Sequence, residues 1–245
     1  MKAQISTVLL SAIASALLAN GTVEAATFRF NDSTMDPSQY EITTFKDPVV
    51  TVTTSGLSSG GFPGSVMSII TGIPNTSGAY VQQVTYLLSK NAAYDTATNG
   101  PIKDITLSID SYFKALIQNF TYSGGAARVI IEQSGKIYEY GAALPAVQDA
   151  YLSKTFENLT SVNFRYVADL ANLGYDFSMH PNFSTGKLRF GFVTAAELYS
   201  SIPLQVEQRY DNFSISVSSV PELSTMHELL LGIVALLVLK RRARY

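Results

Sequence analysis

Between Ile102 and Asp110, apolar and polar residues alternate along the chain. Ile105, Leu107 and Ile109 would share one face of an extended strand, with the intervening polar residues on the other face. Because successive side chains of a strand point to opposite faces, this pattern predicts a strand with one buried and one solvated side. Such a strand requires neighbouring strands and a second layer against its apolar face.

Further strand signals occur along the chain. Two short runs at 128–133 and 136–140 flank Ser134 and Gly135, a spacing that predicts a tight hairpin because glycine supplies the positive φ of such a turn. Similar runs lie at 49–54, 161–166, 187–194 and 213–217. Short strands separated by turns predict an all-β sandwich or jelly roll. Helix is expected only for a turn or two within 142–154 and 195–200.

The N terminus has the composition of a secretory signal peptide. Lys2 precedes an apolar stretch from Val8 to Leu18, and the residues before Ala25 and Ala26 are small or polar. We therefore predict a signal peptide over 1–25, cleaved between Ala25 and Ala26. A buried N-terminal helix is the less favoured alternative, because the run is too short to span a bilayer and ends in residues that suit a signal peptidase.

The C terminus predicts a single transmembrane helix over 226–239. An apolar run from Leu229 to Leu239 precedes a basic tip over 240–245, which contains Lys240, Arg241, Arg242 and Arg244. Positively charged flanks remain cytoplasmic, so residues 26–219 are expected to form an ectodomain outside the inner membrane.

The residues before this helix resemble a known sorting signal. Val220, Pro221, Glu222 and Leu223, followed by the apolar helix and the basic tip, resemble the PEP-CTERM tail of Gram-negative bacteria, with the motif over 220–225 and the tail over 220–245. The resemblance implies processing by a membrane protease-transpeptidase of the exosortase class, and an association with exopolysaccharide and biofilm. Leu223 stands where that family has a second proline, so the efficiency of processing stays open. An uncut membrane anchor is the alternative.

Composition excludes several functional classes. Residues 26–219 contain 12 Lys and Arg against 16 Asp and Glu, and no basic cluster that would favour nucleic acid. The chain has no cysteine, and its two histidines are His180 and His227, which excludes thiolate zinc sites and His-rich metal centres. Six Asn-X-Ser/Thr sequons are interpreted as a by-product of a domain rich in these residues, because the basic tip does not suit a lipid-anchored eukaryotic glycoprotein.

A second resemblance extends over most of the ectodomain. Five short motifs, taken in order, resemble concanavalin A-like or LamG-like jelly-roll domains; they are GGFPG at 60–64, GKIY at 135–138, HPNFS at 180–184, LRFGF at 188–192 and YDNF at 210–213. The resemblance implies a jelly-roll sandwich that binds glycans, and some relatives cleave them.

The sequence predicts no catalytic site. Asp104 and Asp110 share a strand face but would lie roughly 20 Å apart, whereas a glycosidase pair requires about 5–9.5 Å. A meeting of carboxylates from different strands stays open. Ser58, within GLSSG, has the spacing of a nucleophile elbow, with His180 as the available imidazole, but the glycines after it predict a loop where an elbow requires a helix.

Asp211 and Asn212 are candidates for oxygen ligands of a structural calcium ion. The favoured interpretation is that they are polar residues at the entry to the last strand. No other cofactor is expected. The sequence thus predicts an exported, non-enzymatic surface or matrix protein that acts in adhesion, polysaccharide contact or biofilm. The alternative is an extracellular carbohydrate-active enzyme on the same fold.

Overall fold

A computed structural model of the 245-residue chain describes residues 27–61, 64–75, 80–115, 125–140, 150–199 and 202–220. The predicted signal peptide, its cleavage site and the tail from Pro221 to the basic tip lie outside these residues. In the described part of the chain, no helix has the length and apolar character needed to cross a membrane. Thr27–Val220 form one compact unit.

Strands dominate this unit, with one short helix, α1 (Thr96–Asn99), and 3-10 turns at Pro37–Gln39 and Ser161–Asn163. The strands in chain order are β1 (Thr27–Asp32), β2 (Tyr40–Lys46), β3 (Thr51–Gly61), β4 (Gly64–Ile73), β5 (Tyr80–Asp95), β6 (Ile102–Ala115), β7 (Gly125–Gln133), β8 (Lys136–Tyr140), β9 (Tyr151–Leu159), β10 (Phe164–Asp169), β11 (Gly174–Asp176), β12 (Lys187–Tyr199) and β13 (Leu204–Ser219).

The strands form two antiparallel sheets that pack face to face. The seven-stranded sheet has the order β11-β10-β8-β7-β12-β5-β2. The six-stranded sheet has the order β3-β4-β13-β6-β9, and its sixth strand, β1, pairs with β13. The long strand β13 pairs with β6 along one side, and with β4 and then β1 along the other. The predicted all-β sandwich is therefore confirmed.

The predicted alternation in β6 is confirmed by burial. Ile105, Leu107 and Ile109 are each 0% exposed and belong to the main core. Aromatic side chains join the two sheets in this core, with the rings of Phe192 on β12 and Tyr210 on β13 centred 4.9 Å apart. Full burial of each such side chain contributes on the order of 1.5–3 kcal/mol, so this interface is the main source of stability.

The hairpin predicted at Ser134 and Gly135 is also confirmed. Both residues have positive φ, 54° and 76°, as a type I′ turn requires, and they join β7 to β8. The backbone N–H of Gly135 donates a hydrogen bond of 2.7 Å to the Glu132 side chain.

Both helix predictions are wrong in the described residues. Ala195–Tyr199, expected to be helical, is the end of β12, and it pairs with β5. Tyr151–Lys154 is the start of β9 and pairs with β6. Intrinsic helix propensity is a weak preference even for alanine, and the hydrogen bonds and burial that a strand gains from its neighbours outweigh it.

Candidate functional site

Asp211 and Asn212 lie inside β13, not before it. The register between β13 and β6 shifts between Asp211 and Ser214, which marks a β-bulge. Asn212 adopts a left-handed backbone conformation with φ of 50°, which Asn tolerates better than most residues. A bulge inserts an extra residue and changes the direction of its side chain. The prediction that these residues stand at the entry to the last strand is therefore corrected.

The bulge joins Asn212 to a carboxylate on the neighbouring strand. The Asn212 side-chain amide donates a hydrogen bond of 2.8 Å to the Asp110 carboxylate. Asp110 is also the register partner of Asp211. The sequence pattern put Asp110 on the same strand face as Asp104 and indicated no other neighbour. In the structure its hydrogen-bond partner is Asn212, which is distant in the chain.

An open groove of about 530 Å³ lies over this pair, on the outer face of the six-stranded sheet. Its lining is mostly hydroxyl and amide groups from four neighbouring strands, with one arginine and one carboxylate among the described residues. The lining residues are Arg29, Phe30, Asn31, Thr106, Ser108, Asp110, Ser153, Asn212, Ser214, Ile215 and Ser216. We call this surface the polar groove.

Two tyrosines continue the same sheet face beyond Asp110. Tyr112 follows Asp110 by two residues on β6, and its register partner on β9 is Tyr151. Their rings are centred 5.2 Å apart, and the guanidinium of Arg209 lies 5.1 Å from the centre of the Tyr112 ring. The Tyr151 hydroxyl donates a hydrogen bond to the carbonyl of Gly60, which fixes the ring against the β3 end. The tyrosines thus form a half-buried aromatic surface about 7 Å along the strand from Asp110.

Arg209 is held in place by an ion pair. Its guanidinium makes two hydrogen bonds to Glu207, of 2.8 and 3.0 Å, and Ser68 donates a third of 2.8 Å to the same carboxylate. Burial alone would raise the pKa of Glu207, but these hydrogen bonds outweigh it and hold that pKa below its usual value. Glu207 therefore stays ionised near neutral pH and keeps Arg209 beside the tyrosines.

Asp211 is excluded from solvent. It is 0% exposed, and a Cβ added to Gly61 would lie only 2.5 Å from its carboxylate, so the glycine backbone covers it closely. Asp211 does not line the polar groove. Among the described residues, no group of three or more His, Asp or Glu side chains is placed to hold a metal ion.

The residues considered for a nucleophile elbow lie in other structures. Ser58 is inside strand β3, and the chain is again a strand from Gly64, so Gly60 and Gly61 end a strand where a loop was expected. His180 has its Nδ1 atom 2.6 Å from the Phe164 carbonyl oxygen, a contact within the fold. The local strand–turn–helix structure that an elbow requires is not formed around Ser58 in the described chain.

The sequence interpretation missed both tyrosines. Extending the period-two pattern of β6 by one step would have placed Tyr112 beside Asp110. Tyr151 lay in a segment predicted as helix, so no local signal connected it to β6. Asn212 was singled out for a different reason, as a calcium ligand.

No protein-family model matches the chain, and no curated protein matches its sequence. Among solved structures, a CBM22-1 xylan-binding domain from Paenibacillus barcinonensis is similar with a TM-score of 0.35 and 7% identity, over 80% of this chain and 97% of that one. A beta-1,2-glucanase from Parabacteroides distasonis has a TM-score of 0.39 and 8% identity, over 78% and 25%. Similarities of this size assign no ligand or reaction to this chain.

Proposed function

We propose that this protein contacts a neutral glycan through the outer face of the six-stranded sheet. The observation that carries the proposal is the polar groove beside the pair of tyrosines, Tyr112 and Tyr151. A glycan presents hydroxyl groups along its edges and C–H groups on its ring faces. The groove offers hydroxyl, amide and carboxylate partners for the hydroxyl groups of the glycan. The tyrosine rings offer a surface for its C–H groups.

The charges on this face support an uncharged ligand. Arg209 is neutralised by Glu207, and the groove itself holds Arg29 and Asp110. A face with balanced charges offers no general attraction for a polyanion or a polycation. Asp110 is the strongest acceptor in the groove, since hydrogen bonds to a charged group are about twice as strong as neutral ones.

We also propose that the protein does not cleave its ligand. Glycoside hydrolysis generally needs two carboxyl groups that reach the same bond. Asp110 lines the groove, whereas its neighbour Asp211 is buried under Gly61. The burial of the Asp211 carboxylate supports a structural role for this residue, in shaping the bulge.

The cellular setting is part of the same proposal. The signal peptide ending at Ala25, the motif over 220–225 and the basic tip from Lys240 support export, a temporary inner-membrane anchor and processing by an exosortase-type enzyme. The final location is the cell surface or matrix of a Gram-negative bacterium, with a role in adhesion or biofilm. The jelly-roll assignment and the relation to concanavalin A-like domains belong to this proposal as well.

Titration calorimetry with soluble neutral polysaccharides tests the binding. We expect Asp110→Ala to weaken binding by about 10- to 100-fold, since a hydrogen bond to a charged group contributes about 1.5–3 kcal/mol. Tyr112→Ala should weaken it as well. Thr43→Ala, at an exposed position on β2 in the other sheet, is the matched control and should leave the affinity unchanged.

Equal affinity of Asp110→Ala and the control for every glycan would refute the groove as the binding site. Release of shortened glycan by the unaltered protein, abolished in Asp110→Asn, would show an enzyme instead. Mass spectrometry of the chain from cells that contain an exosortase tests the processing step, for which we expect loss of the C-terminal helix. An intact C terminus at Tyr245 would contradict it.

A further inference from the structure

A cluster of two arginines and one carboxylate lies on the outer face of the seven-stranded sheet, opposite to the polar groove. Its carboxylate, Glu139 on β8, is 0% exposed. Glu139 accepts a hydrogen bond of 3.0 Å from Arg128, and further ones of 2.9 and 3.0 Å from the Tyr175 hydroxyl. The hydroxyl of Tyr175 in turn accepts one of 2.7 Å from Arg128. Arg128 and Tyr175 therefore already satisfy the carboxylate.

Arg165 is the second arginine of the cluster, and it is only weakly paired. Its Nη2 atom lies 3.6 Å from Glu139, which is beyond hydrogen-bonding distance. Its Nε atom is buried without a hydrogen-bond partner. Within the described residues, no group accepts a hydrogen bond from its guanidinium, and 23% of the side chain remains exposed. Arg165 thus has donor capacity that the surrounding fold does not use.

Two aromatic rings hold this guanidinium in position. Its central carbon lies 3.8 Å from the centre of the Tyr175 ring and 5.3 Å from that of Phe177. Phe177 is 67% exposed, one of the most exposed large apolar side chains in the described chain. A fixed, planar guanidinium next to an open aromatic face is well suited to bind a carboxylate that is attached to a ring with an apolar C–H face.

Nearby carboxylates do not occupy this guanidinium. Asp169 accepts hydrogen bonds from the backbone of Ala171 and from Asn172, within its own turn. Asp176 accepts two from Ser178. Both carboxylates stay ionised, because these hydrogen bonds hold their pKa values below the usual range. Arg128, Arg165 and Glu139 together carry one net positive charge, so the attraction for an anion is local to the Arg165 guanidinium, which has no acceptor at hydrogen-bonding distance among the described residues.

We infer that Arg165, Tyr175 and Phe177 form a binding site for a uronic-acid residue of an acidic polysaccharide. The sugar carboxylate accepts hydrogen bonds from Arg165, and the C–H face of the same sugar ring stacks on Phe177. Below, this is called the Arg165 site. It lies on a different sheet from the polar groove and takes a ligand of different charge, so it does not rest on binding in the groove.

Binding of oligogalacturonate to the full chain tests this site. Fully methyl-esterified oligogalacturonate is the matched ligand, since it has the same sugar rings without the negative charge. We expect the acidic form to bind, with an affinity that falls as salt is raised, and the ester to bind at least about tenfold more weakly. Arg165→Gln should lower the affinity for the acid at least about tenfold, and Phe177→Ala should lower it several-fold.

Arg189→Gln is the matched control variant. Arg189 lies on the same sheet, but its guanidinium is paired with Glu41 at 2.7 Å and with Glu132 at 2.9 Å. This variant removes the same charge and should leave the affinity unchanged. Asp110→Ala, in the polar groove, should also leave the affinity for the acid unchanged. A loss of binding at the Arg165 site can therefore be distinguished from a loss of binding in the polar groove.

The inference is refuted if Arg165→Gln and Arg189→Gln lower the affinity for the acid by the same factor. It is also refuted if the acid and its ester bind with equal affinity, or if the acid does not bind at millimolar concentration. Tighter binding of a polyglutamate peptide than of oligogalacturonate would refute the sugar as ligand. If Arg165→Gln does not fold, Phe177→Ala decides, because its exposed ring can be removed without opening the core, and unchanged binding would then refute the site.

Discussion

Replacement of Gly191 by alanine should be among the most damaging single substitutions in this fold. Gly191 lies in the middle of β12, next to an irregularity in its pairing with β5. A Cβ at this position would lie 2.0 Å from the Leu87 carbonyl oxygen and 2.9 Å from Leu88 Cα. Ordinary contacts of a Cβ atom begin at about 3.4 Å, so the two strands would have to separate locally by about 1.4 Å.

β12 has little freedom to make this movement. It is paired with β5 on one side and with β7 on the other, and its inward side chains Phe190 and Phe192 are fully buried. Overpacking a rigid site costs about 1–3 kcal/mol or more, and we expect at least about 3 kcal/mol for Gly191→Ala. For a domain of this size, this lowers the unfolding midpoint by roughly 6–12 °C.

Urea denaturation of the purified protein, followed by circular dichroism, measures this cost. Gly135→Ala is the matched control, because no atom lies within 4 Å of its added Cβ, whereas its φ of 76° imposes only a backbone penalty of about 1–2 kcal/mol. We expect Gly191→Ala to lose clearly more stability than Gly135→Ala, with an unchanged dependence on urea concentration. An equal or smaller loss for Gly191→Ala would refute the steric reasoning.

Three further predictions follow from the fold. Leu107→Ala should lower the free energy of unfolding by about 2–5 kcal/mol, measured by urea titration, because it opens a cavity in the core. Thr106→Ala, on the opposite face of β6, should change it by less than about 0.5 kcal/mol in the same titration. Ser134→Asn should raise the thermal midpoint, since asparagine tolerates the positive φ of the hairpin turn better than serine, and an unchanged or lower midpoint in calorimetry would count against it. Burial and the charge of Glu139 raise the pKa of Tyr175 to about 12. The folded state therefore keeps the Tyr175 proton at pH values where the unfolded chain has already lost it. The free energy of unfolding should fall as pH rises from about 10 to about 12. Urea titrations at several pH values measure this fall, and Tyr175→Phe should remove part of it.

Local signals in the sequence were sufficient for part of this architecture. The alternation of β6 and the turn at Ser134 and Gly135 depend on side-chain direction and backbone preference over a few residues, and both predictions are confirmed. Strands β1, β2, β4, β5, β9 and β11 were not predicted. β5 carries buried residues on both faces, so it lacks the alternation that identified β6.

The candidate site was predicted less completely. The sequence drew attention to Asp110 and Asn212 separately, but not to their hydrogen bond, which joins residues 102 positions apart in the chain. Tyr151 and Arg165 carried no signal at all, because a single tyrosine or arginine looks like any other until its neighbours are known.

The sequence by itself determined that this chain forms strands with one apolar face, where its tightest turn lies, and that its termini have the composition of export signals. Only the tertiary structure decided which strands pair, that β13 lies between β6 and both β4 and β1, and that a bulge directs Asn212 toward Asp110. The physical reason is the distance along the chain over which each interaction acts. Side-chain alternation and turn preference act over a few residues, whereas partner and register are chosen by the free energy of the whole sandwich.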